Sequence, residues 1–191
     1  MEIYADARPF ADPTKGREDE STLAILVPEA EPLVRDYRAR HDTSAREGMP
    51  AHVTIIWPFM HPDDLSDEIL TRFETIMAQA EPIAFSLADI AQFNRQALFL
   101  RPQPDASIVA LIKAVVEAFP DYPPYRGVYG PSVTPHLTVA QAKTPEEFDG
   151  AETEFRTLTN ARLPIAVDNA MVSLMERRGG LWRQKRIFQL G

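Results

Sequence analysis

A chain of 191 residues, 45% hydrophobic and 25% charged, has the composition of an ordinary globular protein and room for one large domain or two small lobes on a shared core. The lack of cysteine excludes disulfide frameworks, thiolate nucleophiles and Cys-based zinc sites, and the longest apolar runs fall far short of a membrane span. A formal net charge of −8 argues against sequence-independent binding along duplex DNA, and with no signal pattern at the N-terminus a cytoplasmic monomer is expected.

Residues 1–20 read as a polar N-terminal extension, ahead of a single domain over 21–191. Thr22–Val27 is a short apolar strand ending at Pro28, and Glu31–Arg40 follows as a helix with Leu33, Val34 and Tyr37 on its apolar face. After a polar loop over 41–50, Ala51–Pro58 is rich in β-branched residues and reads as a strand. Asp63 and Asp64 are expected N-caps for a helix over 65–80, where Leu65, Ile69, Phe73, Ile76 and Met77 form one stripe. Phe85–Ile90 and Ala97–Arg101 are two more strands, separated by a turn over 92–96.

Asp105 or Ser107 opens a helix whose buried face is Ile108, Leu111, Ile112, Val115, Val116 and Phe119. A Pro-, Gly- and Tyr-rich loop over 121–135 precedes the strand Pro135–Gln141. Thr144-Pro145-Glu146-Glu147 is a capping box with proline at the first helical position. Pro164–Leu174 and Leu181–Phe188 are expected to pair as a hairpin at Gly179-Gly180. Between Val172 and Gly191, Arg177, Arg178, Arg183, Lys185 and Arg186 face Glu176 alone, so this hairpin carries local positive charge.

The order strand, helix, loop, strand occurs twice, about 22–60 and about 97–142. Each copy ends in a proline-containing loop and a strand that opens His-x-Thr: MPAHVTII, then VTPHLTVA. One such tripeptide is weak evidence, but two at the same place in a duplicated unit point to one chemical group per copy. Strand alternation puts His52 and Thr54 on one face about 7 Å apart, with Val53, Ile55 and Trp57 on the other; His136 and Thr138 share a face in the same way. If the copies pack with two-fold pseudosymmetry, two imidazoles and two hydroxyls converge on one cleft.

Such a pair can divide general acid–base work. A neutral imidazole removes a proton from water or a ribose hydroxyl, and a protonated one supplies a proton to the leaving oxygen. The threonine hydroxyls can donate to the non-bridging phosphate oxygens. No cofactor is required.

HVTIIWPF and PHLTVA, with the duplicated layout and the closing hairpin, resemble the two-histidine phosphoesterase superfamily, the 2′-5′ RNA ligase-like proteins, over about 22–190. The resemblance implies a bilobal α+β fold in which two antiparallel sheets face a central cleft, with helices outside. It implies His52 and His136 as the catalytic pair and Thr54 and Thr138 as phosphate ligands. The activity it implies is opening of 2′,3′-cyclic or related cyclic ribose phosphates, or action on 2′-5′ linkages, in a small nucleotide or short RNA end. RNA ligation or end processing, and nucleotide binding without catalysis, are the alternatives. Tyr125, Arg126 and Tyr129, in the loop before His136, are candidates to close over a base or phosphate. Trp182 is a candidate nucleobase platform and Arg183 a candidate substrate contact in the final hairpin.

Overall fold

In the computed structural model, which describes residues 18–130 and 133–191, the first apolar run is an inner strand, β1 (Glu20–Leu26), of a four-stranded sheet. The expected extension over 1–20 lies outside the described residues up to position 17, and Glu20 already belongs to β1. Helix α1 (Glu31–His41) and the single-turn α2 (Thr43–Arg46) lead to the edge strand β2 (His52–Ile56). Helix α3 (Asp67–Gln79) is capped by Ser66, whose Oγ accepts from the Ile69 N–H at 3.4 Å. Asp63 and Asp64 sit instead in a 3₁₀ turn, where the Asp63 carboxylate binds Arg178 at 2.8 Å.

β3 (Ile83–Phe93) and β4 (Ala97–Gln103) form the expected hairpin, followed by α4 (Ala106–Ala118), a 3₁₀ turn over Pro124–Gly127 and the edge strand β5 (Leu137–Gln141). Half of the capping box forms: Thr144 Oγ1 accepts from the Glu147 N–H at 3.2 Å and opens α5 (Pro145–Thr159), while the Glu147 carboxylate accepts from the Lys143 N–H at 2.8 Å instead of that of Thr144. The segment expected as one strand over 164–174 is two. It breaks at Met171, so that β6 (Ile165–Ala170) pairs with β3 and β7 (Val172–Arg178) pairs with β1. The chain therefore passes from one sheet to the other at this point, and β8 (Leu181–Phe188) closes the predicted hairpin on β7.

Both sheets are antiparallel, in the orders β2-β1-β7-β8 and β5-β4-β3-β6. Each has an inner strand, β1 or β4, joined through a helix to an edge strand, β2 or β5, that His52 opens or His136 immediately precedes. The helices are exchanged: α1 packs against β5, α4 packs against β2, and β2 and β5 lie together. One core joins Leu23, Ile25, Val53 and Ile55 of the first sheet to Leu98, Leu100, Leu137 and Val139 of the second, beneath Val34, Phe73, Leu111 and Phe155 of the helices. The architecture is thus the bilobal α+β arrangement expected. Among the described residues no helix is long and apolar enough to cross a membrane.

The apolar stripe of α1 carries one charged member. Arg38 is 1% exposed, and its Nη2 and Nε donate to Asp42 Oδ2 at 2.8 and 3.1 Å. Nε also donates to the Thr138 carbonyl of β5 at 3.1 Å, and Nη1 to the Met49 carbonyl before β2 at 3.3 Å. Asp42 in turn caps α2 through the Ser44 N–H at 3.0 Å. One guanidinium thus binds the backbone of both His-bearing segments.

Removing one partner of a buried ion pair leaves the other desolvated and uncompensated, whereas replacing both by apolar groups removes that cost. Arg38→Met is therefore expected to lower the unfolding free energy by about 3–5 kcal/mol. The double variant Arg38→Met/Asp42→Leu should recover a substantial part, as measured by urea unfolding.

Candidate active site

Both His-x-Thr strands carry the same irregularity at the same place. In β2, Ala24 lies opposite Thr54 and Leu23 opposite Ile56, which leaves Ile55 as an extra residue; in β5, Phe99 lies opposite Thr138 and Leu98 opposite Ala140, which leaves Val139 extra. A bulge reverses the facing of everything beyond it. This corrects the expectation for Trp57. Simple alternation turns it away from His52, but the bulge at Ile55 returns it to the Thr54 side, where it packs against the cluster of Ala24, Met49, Met175 and Trp182.

The two imidazoles are held identically. His52 Nδ1 lies 2.7 Å from the Pro50 carbonyl and His136 Nδ1 2.8 Å from the Thr134 carbonyl. A carbonyl can only accept, so each Nδ1 carries the hydrogen and each Nε2 presents its lone pair in the neutral form. Burial lowers both pKa values. His52 falls to about 4, chiefly through desolvation and then through the Arg38 charge, against which the Pro50 carbonyl and Asp42 act in part; the charge of His136 adds slightly to the lowering. His136 is lowered by desolvation and partly restored by the Thr134 carbonyl.

Tyr125 belongs to this site. Its backbone N–H donates to the Trp57 carbonyl at 2.6 Å, its ring meets the Trp57 ring at 6.1 Å, and its hydroxyl interacts with the Thr54 side chain. Burial pushes that phenol up to about 12, so it remains a donor throughout the neutral range. Tyr125 and Arg126 hold φ of 52° and 56°, left-handed values that non-glycine residues adopt at a cost. That bend seats the Arg126 guanidinium over Trp57 at 5.8 Å. Tyr129 is 74% exposed and touches Tyr125 edge-on at 5.5 Å, so it reaches the cleft only through that ring.

The final hairpin contributes differently from expectation. Trp182 is 8% exposed, packed among Ala24, Met49 and Met175, and offers little free ring surface for stacking. Arg183 pairs in register with Glu176, on the strand face opposite Trp182, and is not brought together with the histidines. The other cations are neutralised locally: Arg177 by Glu47, Arg178 by Asp63 and Glu176, Lys185 by Glu176, Arg186 by Glu74. The hairpin is a web of ion pairs and not a source of positive potential for the cleft.

Three residues of the site are absent from the expectations. Arg38 is detectable only as an arginine four residues after Val34 in an apolar stripe, with Asp42 four residues further on. Phe99 and Phe93 flank His136, with ring centroids at 5.3 and 5.0 Å from it; strand periodicity marks Phe99 as core and gives Phe93 no signal. Among the described residues no group of three or more His, Asp or Glu is placed to hold a metal ion.

Fold and site together define a bilobal α+β protein in which each half brings one His-x-Thr segment to one of two adjoining edge strands. The family model of the 2′-5′ RNA ligase superfamily matches residues 26–181, and the chain belongs to that family. This places it among enzymes of the phosphoesterase and ligase kind. No curated protein matches it. Among solved structures, TT0787 of Thermus thermophilus is similar over 90% of this chain and 97% of its own, with 15% identity and a TM-score of 0.53. A crystallised phosphoesterase covers 90% of this chain and 98% of its own at 15% identity, with a TM-score of 0.48. ATU0111, a conserved protein of unknown function from Agrobacterium tumefaciens, covers 90% and 84% at 13% identity, with a TM-score of 0.46.

A histidine whose folded pKa is below its unfolded value binds fewer protons folded than unfolded between the two. Stability is therefore full above about pH 6.5 and is lost as pH falls, levelling off below about 4 for His52. His52→Gln is expected to flatten that part of the stability–pH curve, measured by urea unfolding at stepped pH.

Proposed function

We propose that the chain is a metal-independent phosphodiesterase that opens a 2′,3′-cyclic or related cyclic ribose phosphate by acid–base catalysis between His52 and His136. The observation that carries this is the matched presentation of two Nε2 atoms, each fixed by a carbonyl on Nδ1, on adjoining edge strands of a 2′-5′ RNA ligase superfamily fold. The Arg38 charge beside His52 favours its neutral form, which suits it to accept a proton from the attacking water. His136 then supplies a proton from Nε2 to the departing ribose oxygen. The water oxygen bonds to phosphorus as the phosphorus–ribose bond breaks, and a monoester results. Thr54 and Thr138 donate to the non-bridging oxygens, and Tyr125, at Thr54, adds a third neutral donor on the same side.

The family description supports a second outcome at the same site. A ribose 5′-hydroxyl in place of water would leave a 2′-5′ linkage, with the same imidazoles in the same roles.

Hydrolysis of 2′,3′-cyclic mononucleotides in EDTA is the direct test. His52→Ala and His136→Ala are each expected to lose on the order of 10²–10⁴-fold in kcat. Activity that disappears with chelator and returns with metal, or that survives both substitutions, overturns the proposal; binding without turnover would favour a non-catalytic binder. The kcat/KM profile should be bell-shaped and centred on the acid side of pH 6.5, because both free-enzyme imidazoles are lowered.

A further inference from the structure

The duplication makes the reacting centre symmetric, but the walls beside it are not. In the first sheet the neighbour of His52 across the strand pair is Leu26, and the neighbour of Thr54 is Ala24. In the second, Phe99 stands opposite Thr138 and Leu100 opposite Leu137, where the pairing ends, and Arg101 follows two residues beyond Phe99 on the same face of β4. One strand further in, Met175 lies opposite Thr22 and Phe93 occupies the equivalent place opposite Ala97. A leucine, an alanine and a methionine in one lobe are thus an arginine and two phenylalanines in the other.

The two walls also differ in cover. Met175 is 2% exposed, with β8 alongside it and Trp182 packed against it. Phe93 is 37% exposed, because β6 pairs with β3 only over Ile83–Leu87 and leaves the far end without a neighbouring strand. One face of its ring is stacked on Phe99 at 4.3 Å and 29°, and its contact with His136 is edge-on at 87°. With Phe99 stacked on one face, the exposed part of the ring lies outside that stack. Arg101 is exposed and pairs with no carboxylate among the described residues. Its cross-strand neighbour Asp89 is engaged by Gln103 Nε2 at 2.9 Å.

We infer that the β4 sheet holds the nucleoside arm of the substrate, with the base stacked on the exposed part of the Phe93 ring and a neighbouring phosphate paired with Arg101. The inference rests on the phosphodiesterase reading and gives it a direction. In that direction the proton donor His136 stands on the side where the ribose oxygen departs, and the His52 side is left to water. An aromatic face recognises any base through its π surface, and a guanidinium forks onto phosphate oxygens. The substrate class is therefore a nucleotide with a second phosphate, such as the cyclic-phosphate end of a short RNA.

Equilibrium binding separates this inference from catalysis. Calorimetry on the full chain would compare adenosine 2′-monophosphate, adenosine 2′,5′-bisphosphate and a base-free methyl riboside 2-phosphate with wild type, Phe93→Ala and Arg101→Gln. In wild type, removing the base is expected to weaken binding about tenfold or more, and adding the 5′-phosphate to tighten it severalfold. Phe93→Ala should erase the first difference and leave the second; Arg101→Gln should do the reverse. Both side chains are exposed, and an unchanged melting midpoint verifies the fold of each variant. Equal weakening of all three ligands, no weakening, or no binding by wild type overturns the inference. Ordered binding without hydrolysis of the cyclic substrate would uphold it while defeating the hydrolase reading, and hydrolysis without ordered binding would do the opposite.

Discussion

The guanidinium of Arg38 is shared among Asp42, the Met49 carbonyl and the Thr138 carbonyl, and everything at the cleft depends on that arrangement. β2 and β5 are edge strands of different sheets, with no ladder between them to set their separation. A buried cation that bonds the backbone leading into one and the backbone of the other supplies that constraint. It must be compensated to be tolerated, and Asp42 does so from four residues further along the chain. The pair also has an electrostatic consequence that a neutral cross-link would lack, since a fixed positive charge near His52 disfavours a second one there.

The two bulges give the site its second constraint. Without them, strict alternation would turn Trp57 and Gln141 to the core side and leave the end of each His-bearing strand facing the wrong way. With them, each strand delivers an imidazole, a hydroxyl and a terminal side chain to one face. Because both copies carry the irregularity directly after the threonine, the matched geometry of the histidines extends along the whole strand.

Much of this is legible in the sequence. Apolar periodicity locates the helices and most strands to within a few residues, and the repeated His-x-Thr strands point to the reacting centre before any geometry is known. What stays hidden are features set by pairing. The bulge at Ile55 has no composition of its own, so alternation alone puts Trp57 on the wrong side. The break at Met171 lies inside a stretch that reads as one strand, and only the competition of two sheets for it divides β6 from β7. The basic hairpin misleads for a related reason: its arginines are conspicuous in the sequence, but Glu47, Asp63 and Glu74, which neutralise them, are remote from it. Phe93 reads as part of a turn and Arg101 as the end of a strand, until the extended β3 sets Phe93 against His136 and the pairing puts Arg101 on the Phe99 face.

The division of strands between the sheets also bears on how the molecule comes into being. β3, β4, β5 and β6 follow one another along the chain and complete their sheet without help from either end. The other sheet joins β1 and β2, near the beginning, to β7 and β8, at the very end, with Glu20 opposite Arg177. During synthesis the His136 half can assemble while β1 still lacks one neighbour, and long-range pairing of that kind forms slowly. The cluster of Ala24, Met49, Met175 and Trp182, against which Trp57 packs, is complete only once β8 has been made. A chain that stops before β7 would carry both His-x-Thr segments and leave β1 with one edge unpaired.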